Sequence, residues 1–130
     1  MFENQLLVVD DDKSIREMLA LFLSSEGFAV RQARSGDEGL ELFRNRGPFV
    51  CVISDFQMYG EVIRDGIQML KEIRTEAPNQ KCILQSASWS LGELLSVNGL
   101  GDIPILHKPF HLKDLLEELH KLGVSSVQST

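Results

Sequence analysis

Polar residues stand where short apolar runs stop. Leu6-Leu7-Val8-Val9 runs into Asp10-Asp11-Asp12, and Phe49-Val50-Cys51-Val52-Ile53-Ser54 ends in Asp55. Two later runs deliver Ser86 and Lys108 in the same way. Apolar runs of this length, bracketed by turn residues, read as strands buried on both faces, and open parallel sheets bind ligands beyond the carboxyl ends of such strands. Several carboxylates brought together there repel one another unless a cation joins them. Their oxygens suit a hard divalent cation such as Mg²⁺, with Mn²⁺ as a substitute. A carboxylate left free beside it is a nucleophile that forms an acyl phosphate on attacking phosphorus. The Lys108 ammonium and the Ser86 hydroxyl are suited to stabilise charge on phosphoryl oxygens.

The elements that must position these groups follow from the pattern. Gln5 to Val9 is a first strand, and Asp12 caps a helix whose apolar positions are Ile15, Met18, Leu19, Phe22 and Leu23, with Gly27 at its end. Phe28 to Ala33, interrupted by Arg31 and Gln32, reads as an edge strand. Ser35 and Glu38 form a capping-box pattern for a second helix that Gly47-Pro48 stops. After Asp55 comes a loop to Asp65, long for a strand-to-helix connection, then a helix carrying Ile67, Met69, Leu70 and Ile73. Lys81 to Gln85 is a fourth strand, Trp89 to Val97 a weaker, serine-rich helix, and Ile103 to His107 a fifth strand whose Pro104 suits an edge. Leu112, Leu115, Leu116, Leu119 and Leu122 stripe a last helix. Five strand-helix repeats joined by right-handed crossovers predict an α/β, doubly wound, parallel five-stranded sheet. The expected organisation is one domain over 1–124 and a flexible tail over 125–130.

The chain has 130 residues, enough for one domain with a core. A net charge of −6 argues against a general nucleic-acid surface, and no apolar run approaches the roughly 20 residues that span a bilayer. A cytoplasmic location is the expectation, since no signal peptide is visible. Cys51 and Cys82 read as buried, reduced core thiols at similar depth on neighbouring strands.

The segments Leu7-Val8-Val9-Asp10-Asp11, Ser54-Asp55-Phe56-Gln57-Met58, Asp65-Gly66, Gln85-Ser86-Ala87 and Lys108-Pro109-Phe110 together resemble the receiver domain of two-component response regulators, over about residues 5–122. The resemblance implies a CheY-like, flavodoxin-like sheet of order 2-1-3-4-5. It implies Asp55 as phospho-acceptor, charged by a sensor histidine kinase or phosphotransfer protein. It implies Mg²⁺ on Asp11, Asp55 and the Gln57 backbone carbonyl, with Asp10 acting through water. Ser86 and Ala87 belong to the phosphate-binding switch, with Lys108 on the phosphoryl group after a cis Lys108-Pro109 bond. Gln57 and Ser88 occupy the positions that tune phosphoryl lifetime. The output would be a downstream effector or a fused domain, with the fourth helix, fifth strand and fifth helix as the changing face and a candidate homodimer surface. No membrane and no direct nucleic-acid contact is expected, and no enzymatic activity beyond its own phosphorylation and dephosphorylation.

Three departures stand out. Gly66 lies eleven residues past Asp55 rather than the family's eight, which marks a three-residue insertion within Gly60-Glu61-Val62-Ile63-Arg64. Ile105 replaces the switch aromatic, and the helix after Ser86 has low intrinsic propensity. The first two motivate a competing reading, an interaction module of receiver shape that works without phosphate. A Mg²⁺-dependent phosphatase using an aspartyl phosphate is a third reading, opposed by Gln57, which stands where such enzymes carry a second acid.

Overall fold

A computed structural model of the chain describes residues 4–57, 63–88 and 90–126. Trp89, the Met58–Val62 part of the long loop and the end of the expected tail, 127–130, lie outside the described residues. The strands are β1 (Gln5–Val9), β2 (Ala29–Ala33), β3 (Cys51–Asp55), β4 (Cys82–Ser86) and β5 (Ile105–His107). The helices are α1 (Lys13–Ser25), α2 (Gly36–Arg46), α3 (Gly66–Glu76), α4 (Leu91–Val97) and α5 (Leu112–Lys121). The strands form one parallel sheet in the order β2-β1-β3-β4-β5.

Burial explains the order. Every residue of β1, β3 and β4 is buried, whereas only Ala33 of β2 is. Uninterrupted apolar runs can only be central, and the arginine and glutamine of β2 need the water that an edge supplies. Alternate side chains feed two cores. Leu7, Val9, Val52 and Leu84 pack with Leu40, Met69, Leu70 and Ile73, while Leu6, Val8, Ile53 and Ile83 pack with Leu19, Leu23, Leu115 and Leu119. Each fully buried leucine or isoleucine contributes about 1.5–3 kcal/mol.

The local signals act largely as their chemistry demands. Asp12 Oδ1 accepts from Ile15 N (3.1 Å) and Gly27 follows α1 at φ 97°. Ser35 Oγ accepts from Glu38 N (3.1 Å), but Glu38 Oε1 accepts from Arg34 N (2.8 Å), one residue earlier than in a standard capping box. β5 starts at Ile105 rather than Ile103, because Pro104 has no N–H to enter the ladder; its carbonyl still accepts from Leu84 N (3.0 Å). α4 starts at Leu91 rather than Trp89. Met18, expected in the apolar stripe of α1, is 48% exposed; Leu19 and Leu23 alone carry the fully buried ridge toward the sheet. The thiols are free and buried, but Cys82 pairs in register with Val52, not Cys51, so the two project into opposite cores. Burial pushes the Cys51 thiol up and the Cys82 thiol up to about 12, which keeps both inert. Past α5, Val124 is fully buried and Ser126 Oγ donates to the Glu26 carbonyl.

Candidate functional site

The parallel register brings the ends of β1 and β3 side by side, Val9 opposite Ser54. The next residues, Asp10 and Asp55, therefore enter one space. Asp10 is held at both backbone polar groups: its N–H donates to Ala33 O (3.0 Å) and its carbonyl accepts from Arg16 Nη1 (2.9 Å). Its side chain is 1% exposed; Oδ1 accepts from Asp12 N (2.9 Å), while Oδ2 has no hydrogen-bond partner. Asp55 is buried, and Asp11 is exposed at the mouth. Carboxylate oxygens of Asp10, Asp11 and Asp55 all lie within 4.8 Å of one another. Lys108, following β5, reaches across with Nζ 2.9 Å from Asp55 Oδ1 and 3.9 Å from Asp10 Oδ2.

Charge decides what this cluster can do. Two unit charges at that separation repel by about 3–4 kcal/mol at an effective dielectric of 20. One ammonium against three carboxylates leaves two negative charges in a largely buried space. Burial foremost, with Asp55 and Asp11 nearby, pushes the Asp10 carboxyl up to about 6, against the pull of the Asp12 amide and Lys108. Burial also raises Asp55, opposed chiefly by its hydrogen bond to Lys108. A divalent cation with a preference for oxygen would cancel the residual charge and give the orphaned Asp10 Oδ2 a partner, directly or through water. The donor set therefore fits Mg²⁺, and Mn²⁺ by the same chemistry.

The surrounding residues set the shape. Gly66 is required where it stands: a Cβ there would lie 2.3 Å from the Asp55 carbonyl oxygen and 3.0 Å from Ser54 Oγ. Gln57 is exposed and lies opposite Asp65 in an antiparallel bridge, flanked by Gly66 N donating to Phe56 O (2.8 Å). Asp65 in turn caps α3, accepting from Gln68 N (2.8 Å). Ser86 is buried, its Oγ accepting from Ser88 N (2.9 Å) and its carbonyl accepting from Lys108 N (2.8 Å). The Ser86 hydroxyl thus stands in a turn with Ser88 rather than on the carboxylates. Ala87 is exposed, and Ser88 Oγ lies 3.1 Å from Ser90 Oγ. Ile105 is half-buried against the core beside Leu84. The Lys108-Pro109 peptide is cis, as the resemblance implies.

Sequence reasoning did not find two contacts. Arg16 braces the Asp10 carbonyl, and Ile63 N donates to Asp37 Oδ1 (2.9 Å). The first carries a faint signal, an arginine one turn into a helix that begins at the site. The second carries only the glycine at position 36, because it joins a loop to a helix 26 residues away.

Comparison with known proteins agrees with this geometry. The family model described as response regulator receiver domain matches residues 6–120. The transcriptional regulatory protein GlrR of Escherichia coli K12 is 38% identical over 104 residues, 80% of this chain and 22% of GlrR. Response regulator MprA of Mycobacterium sp. strain KMS is 32% identical over 118 residues, 91% of this chain and 50% of MprA. The chain thus spans half or less of the length of these curated relatives. Among solved structures, a CheY-like receiver domain protein from Methanospirillum hungatei JF-1 superposes with a TM-score of 0.81 at 28% identity, covering 92% of each chain. Response regulator TrrA of Thermotoga maritima, in complex with Mg²⁺–BeF, gives 0.80 at 31% identity, covering 92% of this chain and 98% of TrrA. By family, fold and strand-end acids together, the chain belongs to the receiver domains of two-component response regulators.

Proposed function

We propose that this receiver takes a phosphoryl group onto Asp55 from the phosphohistidine of a sensor histidine kinase or phosphotransfer protein, and signals through a changed surface to an effector or a fused output domain. The single observation that carries the reading is the cluster of Asp10, Asp11 and Asp55 with Lys108 seated on Asp55. The relative TrrA, crystallised with Mg²⁺–BeF, lends support by its likeness. Asp11, Asp55 and the Gln57 carbonyl would hold Mg²⁺, with Asp10 acting through water.

Bound there, the cation neutralises the acids and draws charge from phosphoryl oxygens. The chain's own residues do the rest. The Asp55 carboxylate oxygen forms a bond to phosphorus as the donor's P–N bond breaks and the imidazole keeps the bonding pair. Burial of Asp55 strips its carboxylate of water and raises its pKa, and Lys108 pulls it back toward the ionised form. As the phosphoryl group arrives, Lys108 exchanges its 2.9 Å contact with Asp55 for the new oxygens. Ser86 Oγ leaves the Ser88 amide to donate to the same oxygens, and Ala87 lends its backbone to that turn. That move shifts the population toward a changed α4-β5-α5 face. Gln57 and Ser88 flank the site and tune how long the phosphoryl group survives. Ile105 carries the core contact that an aromatic switch would otherwise make.

A cytoplasmic location would suit such a kinase partner; among the described residues no helix is long and apolar enough to cross a membrane. The test is intact mass after incubation with Mg²⁺ and a small acyl-phosphate donor, wild type beside Asp55→Asn. A gain of about 80 Da, one phosphoryl group, is expected in the wild type only and only with Mg²⁺. No gain from either a small donor or a phosphorylated histidine kinase would refute the reading and leave an interaction module that works without phosphate.

A further inference from the structure

The first turn of α2 is joined to the loop that follows the acceptor. Ile63 N donates to Asp37 Oδ1 at 2.9 Å, and the Ile63 side chain is 4% exposed, packed into the α2-α3 core. The fit is close enough to dictate a residue type: a Cβ on Gly36 would lie 2.3 Å from Ile63 Cγ2 and 2.9 Å from Ile63 Cβ. Two residues on, Asp65 stands opposite Gln57 in the bridge, and Gly66 N donates to Phe56 O (2.8 Å). Arg64 N is also fixed, donating to Gln68 Oε1 (2.8 Å). The path from Asp37 to Gln57 thus runs through the backbone of residues 63–66 and the hydrogen bond from Gly66 N to Phe56 O.

We propose that Asp37, with Gly36 beneath Ile63, is a positioning residue for the divalent cation: it pins Ile63, and through Asp65 holds Gln57 where its main chain can ligate. The inference rests on the metal reading given under the proposed function. A loop lengthened beside the site loses the tightness that a short connection gives its ends. The Ile63 pin restores it at the end of the loop that leads into α3. Asp37 is not one of the clustered acids and acts through the loop.

The test is calorimetric titration of the full chain with MgCl₂, with thermal stability measured on the same samples. Asp37→Ala removes the acceptor for Ile63 N, and Asp37→Asn keeps an oxygen in its place. Glu38→Ala perturbs the same helix start, at its bond to Arg34 N, without touching Ile63. Asp37→Ala is expected to raise the Mg²⁺ dissociation constant about 5- to 10-fold, below or at the low end of the usual cost of losing a group that directly supports a metal ligand. Asp37→Asn is expected to restore most of the affinity, and Glu38→Ala to leave it unchanged whatever it does to the melting temperature. Unchanged affinity in Asp37→Ala overturns the proposal. Equal weakening in Asp37→Ala and Glu38→Ala also overturns it, since the effect would then belong to helix stability. A wild type that takes up no Mg²⁺ would instead overturn the metal reading itself, and this inference with it.

Discussion

Asp10→Asn should make the metal-free protein more stable. The Asp10 carboxyl is held at about 6 in the fold against an ordinary value of 3.8, with burial as the main cause and Asp55 and Asp11 adding to it. A raised carboxyl value means that the ionised form is disfavoured by folding. The group's stabilising contribution is therefore fully present below its unfolded value and is lost as the pH rises through about 6. The gap corresponds to about 3 kcal/mol of penalty at neutral pH. Asparagine keeps an oxygen for the Asp12 amide and removes the charge. It also puts an NH₂ where Oδ2 has no hydrogen-bond partner. That loss reduces the expected gain to about 1–2 kcal/mol, a rise of roughly 3–8 °C in Tm for a domain of this size. The assay is urea unfolding of both proteins in EDTA at about pH 7.5 and about pH 4.5. The variant should be the more stable at the higher pH, and the gap should narrow at the lower, where Asp10 of the folded wild type is protonated. Adding Mg²⁺ should stabilise the wild type more than the variant. Equal or lower stability of Asp10→Asn at the higher pH, or a gap that ignores pH, would refute the electrostatic account of the site.

Other outcomes follow from the same geometry. Mg²⁺ affinity should fall as the pH drops through about 6, because Asp10 then takes up a proton that competes with the cation; titration calorimetry at several pH values reads this directly. Gly66→Ala should cost about 2–4 kcal/mol and weaken Mg²⁺ binding, since its Cβ would press on the Asp55 carbonyl oxygen at 2.3 Å; chemical unfolding and the same titration measure both. Leu119→Ala, in the core under α5, should cost about 2–4 kcal/mol by urea unfolding and leave Mg²⁺ affinity unchanged. Ser86→Ala should still gain a phosphoryl group by intact mass, but amide exchange over α4 and β5 should no longer respond to it.

What could be read from the sequence, and what could not, divides along a physical line. The central strands were legible because a run such as Cys51-Val52-Ile53 has no polar face to offer water, and the acids were legible because Asp10 and Asp55 end such runs. Chemistry at strand ends needs only strand order and direction; the strand-helix repeat supplies the direction, and the resemblance to receivers supplies the order. Pairwise matters were not legible. The opposite projection of Cys51 and Cys82 depends on a one-residue register, and a shift of one inverts every side chain. Met18 falls in the right helical phase, yet the stripe on α1 is wider than the surface the sheet offers it. The Asp37–Ile63 contact is the extreme case, because a backbone N–H has the same identity at every residue but proline and leaves no trace in composition or periodicity. Only the glycine at position 36 hints at it, and a glycine at a helix start has commoner explanations. The length of the loop between Asp55 and Gly66 was visible by count, whereas the contact that anchors Ile63 was not. The described end of that loop, at Ile63, is anchored by α2, an element with no residue among the clustered acids.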